Sequence, residues 1–225
     1  MSADSQAIAA RWQQLRAAVP EHVKIVAVSK TFSPEAIRAA YAAGARDFGE
    51  SRLQEALPKQ AALQDLAEIR WHFIGHLQGN KAKKALTHFD WIHTCDSLKL
   101  AQRLDRLVAE TGQCPGILLQ VKPLPDPDKY GWSLEQLQAE LPALDRCDRL
   151  SVRGLMTILP QGLAAEEIAA AFAAVHDLAI EIRTSQWQHL SMEELSMGMS
   201  GDYSAAVAAN ATMIRLGRVL FGDRS

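Results

Sequence analysis

Apolar residues in this chain fall in short runs, separated by longer stretches with helical spacing. The first run is Val23-Lys24-Ile25-Val26-Ala27-Val28-Ser29-Lys30, rich in β-branched residues and ended by a lysine. Alternate side chains of a strand face opposite ways, so Ile25 and Ala27 lie on one side and Val26, Val28 and Lys30 on the other. Both sides are apolar, the habit of parallel sheets covered by helices. Seven further runs have strand character: Asp47–Glu50, Trp71–Gly75, Trp91–Cys95, Gly116–Val121, Leu150–Ile158, Leu195–Met197 and Thr212–Leu216.

Helical patterns lie between them. Ala3 to Val19 places Ile8, Trp12 and Leu15 on one face, with Asp4 or Ser5 as the expected cap. Ser33-Pro34-Glu35 opens a helix that Gly44 stops. An alanine- and glutamine-rich helix runs to about Glu68, followed by one from Lys81 to His88. Asp96 or Ser97 caps a helix to Glu110, and Ser133 caps another through Leu141 despite Pro142. Ala164 to Arg183 and Tyr203 to Ala209 are helical, and Val219–Phe221 is a stub. Eight strands alternating with helices predict an α/β fold, a single-domain (β/α)8 TIM-type barrel over residues 1–225 with an extra N-terminal helix. That extra helix is expected to fill the place left by the stub.

Composition narrows the function. The net charge of −2 gives no broad attraction to nucleic acid or anionic membrane, so any anion site must be local. Cys95, Cys114 and Cys147 are dispersed, as reduced thiols of a cytoplasmic protein are. The N-terminus has no signal-peptide pattern, and no run is long enough to span a bilayer.

Closing a barrel makes the first and eighth strands neighbours, and such barrels bind phosphate with the loops after strands seven and eight. Here those loops are Gly198-Met199-Ser200-Gly201-Asp202 and Gly217-Arg218, each opening a helix. Lys30 stands between them at a strand end. A primary amine beside a phosphate cradle suits an aldehyde-bearing phosphate, above all pyridoxal phosphate. A free lysine, with a pKa near about 10.4, is a poor nucleophile, and burial or a nearby cation lowers that value. Arg215, in the apolar eighth strand, needs either a structural partner or a ligand atom such as a pyridine nitrogen. Other constellations are weaker. His72 and His76 straddle a strand and its loop, Gly198-Met199-Ser200 fails the GxSxG pattern at Asp202, and Lys81, Lys83 and Lys84 read as a solvated helix face.

The stretches AVSKTFSPEAI, ARDFGES, WHFIGHLQGNK, FDWIHTCDS, RGLMTI, LSMGMSGDYSAAV and TMIRLG occur in order along the chain. Through them it resembles the pyridoxal phosphate homeostasis proteins, relatives of the N-terminal barrel of alanine racemase. The resemblance implies that Lys30 forms the internal aldimine, that Ser200, Gly217 and the residue at 218 hold the phosphate, and that Arg215 faces the pyridine nitrogen. Two positions depart from that family: Ser51 stands where asparagine is usual, and Arg218 where threonine or serine is usual. Lys129 in Lys129-Tyr130-Gly131 is read as a solvated loop lysine.

The expected function is therefore vitamin B6 homeostasis: a cytoplasmic protein that holds pyridoxal 5'-phosphate without catalysis and can pass it to apo-enzymes. The site set is Lys30, Gly198, Met199, Ser200, Arg215, Gly217 and Arg218, with no metal, nucleic acid or membrane partner. A barrel with no small ligand, serving as an interaction protein, is the bland alternative, and two sharper rivals stay open. One is a weak amino-acid racemase, which needs a second acid–base group opposite Lys30, with Tyr130 or His76 as candidates. The other is a class I aldolase-like barrel using Lys30 as a Schiff-base lysine.

Overall fold

The computed structural model describes residues 3–222, Ala3 by its backbone alone. Strands β1 (Lys24–Val28), β2 (Asp47–Glu50), β3 (Arg70–Phe73), β4 (Trp91–Cys95) and β5 (Gly116–Lys122) pair in parallel in chain order. β6 (Trp132–Ser133) is a short spur on the end of β5. β7 (Ser151–Thr157), β8 (Leu190–Ser196) and β9 (Met213–Leu216) continue the ring from β5, and β9 pairs with β1 to close it. The seventh and eighth strands expected from sequence are thus β8 and β9, and the closed eight-strand parallel barrel is of the TIM type.

The helices are α1 (Ala3–Ala18), α2 (Pro34–Ala42), α3 (Leu53–Ala62), α4 (Ala82–His88), α5 (Leu98–Thr111), α6 (Leu134–Leu144), α7 (Ala165–Thr184), α8 (Tyr203–Ala208) and α9 (Arg218–Phe221). Their starts follow local chemistry. Ser33 and Ser97 accept hydrogen bonds from the amides of Ala36 and Leu100, both at 3.4 Å. Ser133 and Gln136 form a reciprocal capping box. Three expectations need correction. Asp4 and Ser5 lie inside α1, not ahead of it. α3 stops at Ala62, because Leu63 turns out of helical geometry (φ −121°, ψ 17°). β8 starts at Leu190, well before Leu195, and its Ser191, Glu193 and Glu194 hide the strand from an apolar-run reading. Pro142 lies within α6, which continues to Leu144. α1 packs against α2 and the four-residue α9. Arg16 ties off its end on the carbonyls of Val23, Val19 and Pro20.

Two apolar layers result. Ile25, Ala27, Phe48, Ile92, Ile117, Leu119, Leu155, Ile214 and Leu216 face outward into the helices. Val26, Leu118, Met156 and Met213 form a separate cluster inside the barrel. Each fully buried side chain of this kind contributes about 1.5–3 kcal/mol. The strand alternation read from β1 holds: Val26 faces inward, while Ile25 and Ala27 face the helices.

Candidate functional site

Lys30 lies just beyond β1, in the same inward row as Val26 and Val28. It lines a cavity of about 540 Å³ at the carboxyl end of the barrel. The chain turns sharply there. Thr31 adopts φ +71°, a left-handed conformation that a β-branched residue rarely takes. Such a residue persists only where its surroundings over-determine it. Three contacts do so: the Thr31 amide donates to Glu55 Oε1, the Phe32 amide donates to the Ser29 carbonyl at 3.0 Å, and the Phe32 ring stacks on Phe221 with centroids 4.8 Å apart.

Beneath this turn is a buried charged network. Lys59, only 6% exposed, donates from Nζ to Glu55 Oε1 at 2.6 Å, Glu50 Oε1 at 2.8 Å and the Ser29 carbonyl at 2.9 Å. Ser29 Oγ donates to the same Glu50 oxygen at 2.7 Å. Burial pushes the Glu50 carboxyl above its ordinary value, against the pull of Lys59 and Ser29. Its Oε2 has no hydrogen-bond partner among the described residues. The network grips the backbone on both sides of Lys30, at Ser29 and at Thr31.

The loops after β8 and β9 form the other wall. Met199, Ser200, Gly201, Asp202, Gly217 and Arg218 line the cavity. Gly198 does not line it. Its φ of +91° turns the chain, and a Cβ there would lie 2.6 Å from Ala206 Cβ and 2.9 Å from Tyr203 Cα. Its carbonyl accepts the Arg215 amide at 3.0 Å, which fixes the loop to β9. The Met199 amide is engaged by Asp202 Oδ1 at 2.6 Å, so it is taken up within the loop. Gly217 carries no steric demand: a Cβ there meets Val28 at an ordinary 3.5 Å.

Arg215 is buried at 3% exposure and still reaches the cavity. Nη1 donates to the Ser196 carbonyl and to Ser196 Oγ, both at 2.7 Å, and Nη2 donates to the Thr157 carbonyl at 2.8 Å. A guanidinium has five N–H groups. The Nε–H and one Nη2–H are left for the cavity. Burial lowers the Arg215 pKa to about 10, and it stays cationic at neutral pH.

The sequence-predicted residues Lys30, Met199, Ser200, Arg215, Gly217 and Arg218 therefore come together on one cavity, and Gly198 stands behind it. Ser51 does not join them. It lines a neighbouring cavity of about 620 Å³ with Arg52, His76 and Lys81. His76 stacks on Tyr130 with centroids 3.6 Å apart and bonds Asp96 at 2.9 Å, and neither ring lines the Lys30 cavity. Lys129 pairs with Asp126. Among the described residues no group of His, Cys, Asp or Glu could hold a metal ion, and no helix is long and apolar enough to cross a membrane. Sequence reasoning missed the segment after β7, where Ile158 to Leu163 line the cavity. The turn residues Pro160-Gln161-Gly162 after a barrel strand were the available signal. It also missed Glu50, Glu55 and Lys59, whose only local signal was the i,i+4 spacing of Glu55 and Lys59.

Known proteins resemble this chain in sequence and in fold. The family model of the alanine racemase N-terminal domain matches residues 3–225. A pyridoxal phosphate homeostasis protein of Synechocystis sp. is 51% identical over 213 residues, covering 95% of this chain and 97% of that one. PipY of Synechococcus elongatus is 52% identical, and the match covers 96% of this chain and 100% of that one. Its solved structures superpose with TM-scores of 0.92 without and 0.90 with pyridoxal phosphate bound.

Proposed function

The chain belongs to the alanine racemase N-terminal domain family and, within it, to the pyridoxal phosphate homeostasis proteins; on that premise we propose that residues 1–225 form one cytoplasmic cofactor-holding barrel with Lys30 as the attachment point. The observation that carries this reading is the convergence of an amine, two glycine-bearing loops and a buried guanidinium on one cavity of about 540 Å³. That volume suits a small organic phosphate. Lys30 would hold the aldehyde carbon. Ser200, Gly201, Gly217 and Arg218 would hold the phosphate, and the N–H groups left on Arg215 would meet the pyridine nitrogen. Gly198 supports the phosphate loop from behind, and Met199 offers its side chain at the rim. Arg218 is exposed, so its charge can swing toward the cavity in place of the small hydroxyl usual in the family.

Bound, the cofactor supplies a reversibly reactive aldehyde and a ring able to act as an electron sink. The surrounding residues favour storage over turnover. Facing the pyridine nitrogen, Arg215 would donate a hydrogen bond to it and leave it without a proton, which would weaken that sink. Tyr130 and His76, the candidates for a second acid–base group, stack on each other outside the cavity lining. The function is pyridoxal 5'-phosphate binding in cofactor homeostasis, without catalysis, with apo-enzymes as the recipients.

Borohydride reduction of cofactor-loaded protein followed by peptide mapping tests the attachment. The pyridoxyl group is expected on Lys30, and its appearance on another residue would overturn the assignment. Incubating loaded protein with L- and D-amino acids in deuterated water tests the absence of catalysis. Exchange of the α-proton would restore the racemase reading.

A further inference from the structure

The barrel interior holds a line of buried polar groups that the proposed site does not use. It starts at Arg215, whose Nη1 donates to Ser196 Oγ at 2.7 Å. Ser196 Oγ lies 2.8 Å from His93 Nδ1, His93 Nε2 lies 2.8 Å from His72 Nδ1, and His72 Nε2 lies 2.9 Å from Asp47 Oδ1. Ser196, His93 and His72 are wholly buried. Asp47 opens β2 at the amino end of the barrel, where its second oxygen accepts from the half-exposed Arg70 at 2.7 Å.

The chemistry of the two ends fixes the direction of the chain. A guanidinium only donates, and a carboxylate only accepts. Burial works against ionisation of Asp47, but hydrogen bonds from His72 and Arg70 outweigh it and hold the carboxyl below its ordinary value. His72 must then donate from Nε2, which leaves Nδ1 of a neutral ring to accept. His93 donates to it from Nε2 and accepts at Nδ1, and the Ser196 hydroxyl donates to that nitrogen. Every donor in the line points toward Asp47, and every group is satisfied. Adding one proton at His72 breaks this order. His72 would donate to His93, and His93 would donate to Ser196. The Ser196 oxygen would then receive two donors, and its own hydrogen would have no acceptor among the described residues. Burial, with His72, Arg215 and Lys24 nearby, also holds His93 well below the ordinary imidazole value.

We infer that Ser196, His93, His72 and Asp47 are positioning residues for Arg215, joined in a one-directional hydrogen-bond chain that crosses the barrel from the cavity to its opposite mouth. The chain determines which guanidinium N–H groups remain for the cavity. The inference rests on the proposed role of Arg215 toward the pyridine ring, but its first test needs no cofactor. Charged groups facing the chain are Lys24 on β1, Asp47 on β2, Arg70 on β3, Glu194 on β8 (paired with Lys24) and Arg215 on β9.

Imidazole ¹⁵N NMR of cofactor-free protein at about pH 8 should show His72 and His93 each carrying a single proton, on Nε2. A cationic His72, or an Nδ1–H form of either ring, overturns the directional chain. In Asp47→Asn the Arg70 bond draws the amide oxygen, so the amide nitrogen faces His72. Both rings should then shift toward Nδ1–H; a His93 tautomer that ignores this change also overturns it. In loaded protein Ser196→Ala should weaken cofactor binding about tenfold and shift the visible absorbance of the bound ring, with Ser196→Thr restoring both. Unchanged absorbance in Ser196→Ala would sink the positioning role. Failure of Lys30 labelling, by contrast, would sink the attachment site and leave the tautomer result standing.

Discussion

Two lysines stand at opposite ends of one inward row on β1, and the barrel treats them differently. Lys24, at the amino end, is paired with Glu194 and lies 5.5 Å over the Trp91 ring. The other Glu194 oxygen accepts from Thr212 at 2.6 Å, and nearby Asp47 holds Arg70 and His72. Charge at this mouth is neutralised within the protein. At the carboxyl end the charges that line the cavity are Lys30, Arg215 and Arg218 against Asp202. Among the described residues lining that cavity, cations outnumber acids although the chain's net charge is −2. The local balance, not the overall charge, governs what such a cavity attracts. Position within the sheet, more than residue type, separates the lysine paired with Glu194 from the lysine that lines the cavity.

The sharpest way to break this contrast is to exchange the two lysines' fates. Lys30→Ala should abolish borohydride-trapped cofactor entirely, while Lys24→Ala should trap it as the parent protein does. Mass spectrometry of the reduced proteins decides it. Trapping that survives in Lys30→Ala, or fails in a folded Lys24→Ala, would end the distinction between the mouths.

The next effect is on stability and lies under Lys30. Lys59→Met leaves Glu50 buried without its cation and should cost about 3 kcal/mol in urea unfolding at pH 7. Glu50 is already held above its ordinary pKa by burial, so in the variant it can be relieved by taking up a proton. The deficit should therefore shrink as pH falls toward 5. A constant deficit would mean that Lys59 acts by packing and not by charge. At the other mouth Lys24→Ala should cost less, about 1 kcal/mol, because the lysine side chain is 34% exposed and its pair is screened by solvent.

These networks also mark where the sequence stops being legible. The barrel could be read because strand runs and capped helices are local: Ser33, Ser97 and Ser133 each cap the helix they were expected to cap. Lys30 and the loops after the last two strands could be read because barrel closure brings them together. Glu194 could not, since an acidic residue in a strand looks like a break until Lys24 is seen across the barrel. Lys59 carries no local signal of burial in its polar helix, and only the packing of α3 on β2 turns it toward Glu50. His72 and His93 sat in two separate apolar runs, and their contact depends on the adjacency of β3 and β4.

A last predicted effect probes the interior between the two mouths. His93 is wholly buried, and burial penalises its cation, so its folded pKa lies well below the ordinary imidazole value. The sign follows from proton counting. Between that depressed value and about 6.5, the unfolded chain binds a proton that the folded chain refuses. The contribution of a neutral His93 to stability is therefore full above about 6.5 and falls as pH drops. Within that window it falls by at most about 1.4 kcal/mol per pH unit. Asp47 changes stability in the same direction but only at lower pH, because its folded carboxyl is held below the carboxylate range. Urea unfolding of the parent and of His93→Gln at pH 8, 7, 6 and 5 separates the two. The parent should lose stability below about pH 6.5, and the variant should lose less, by up to about 1.4 kcal/mol per pH unit in that window. Equal slopes would mean that the barrel interior admits a proton at His93, and the two mouths would then not be separated by a proton-excluding core.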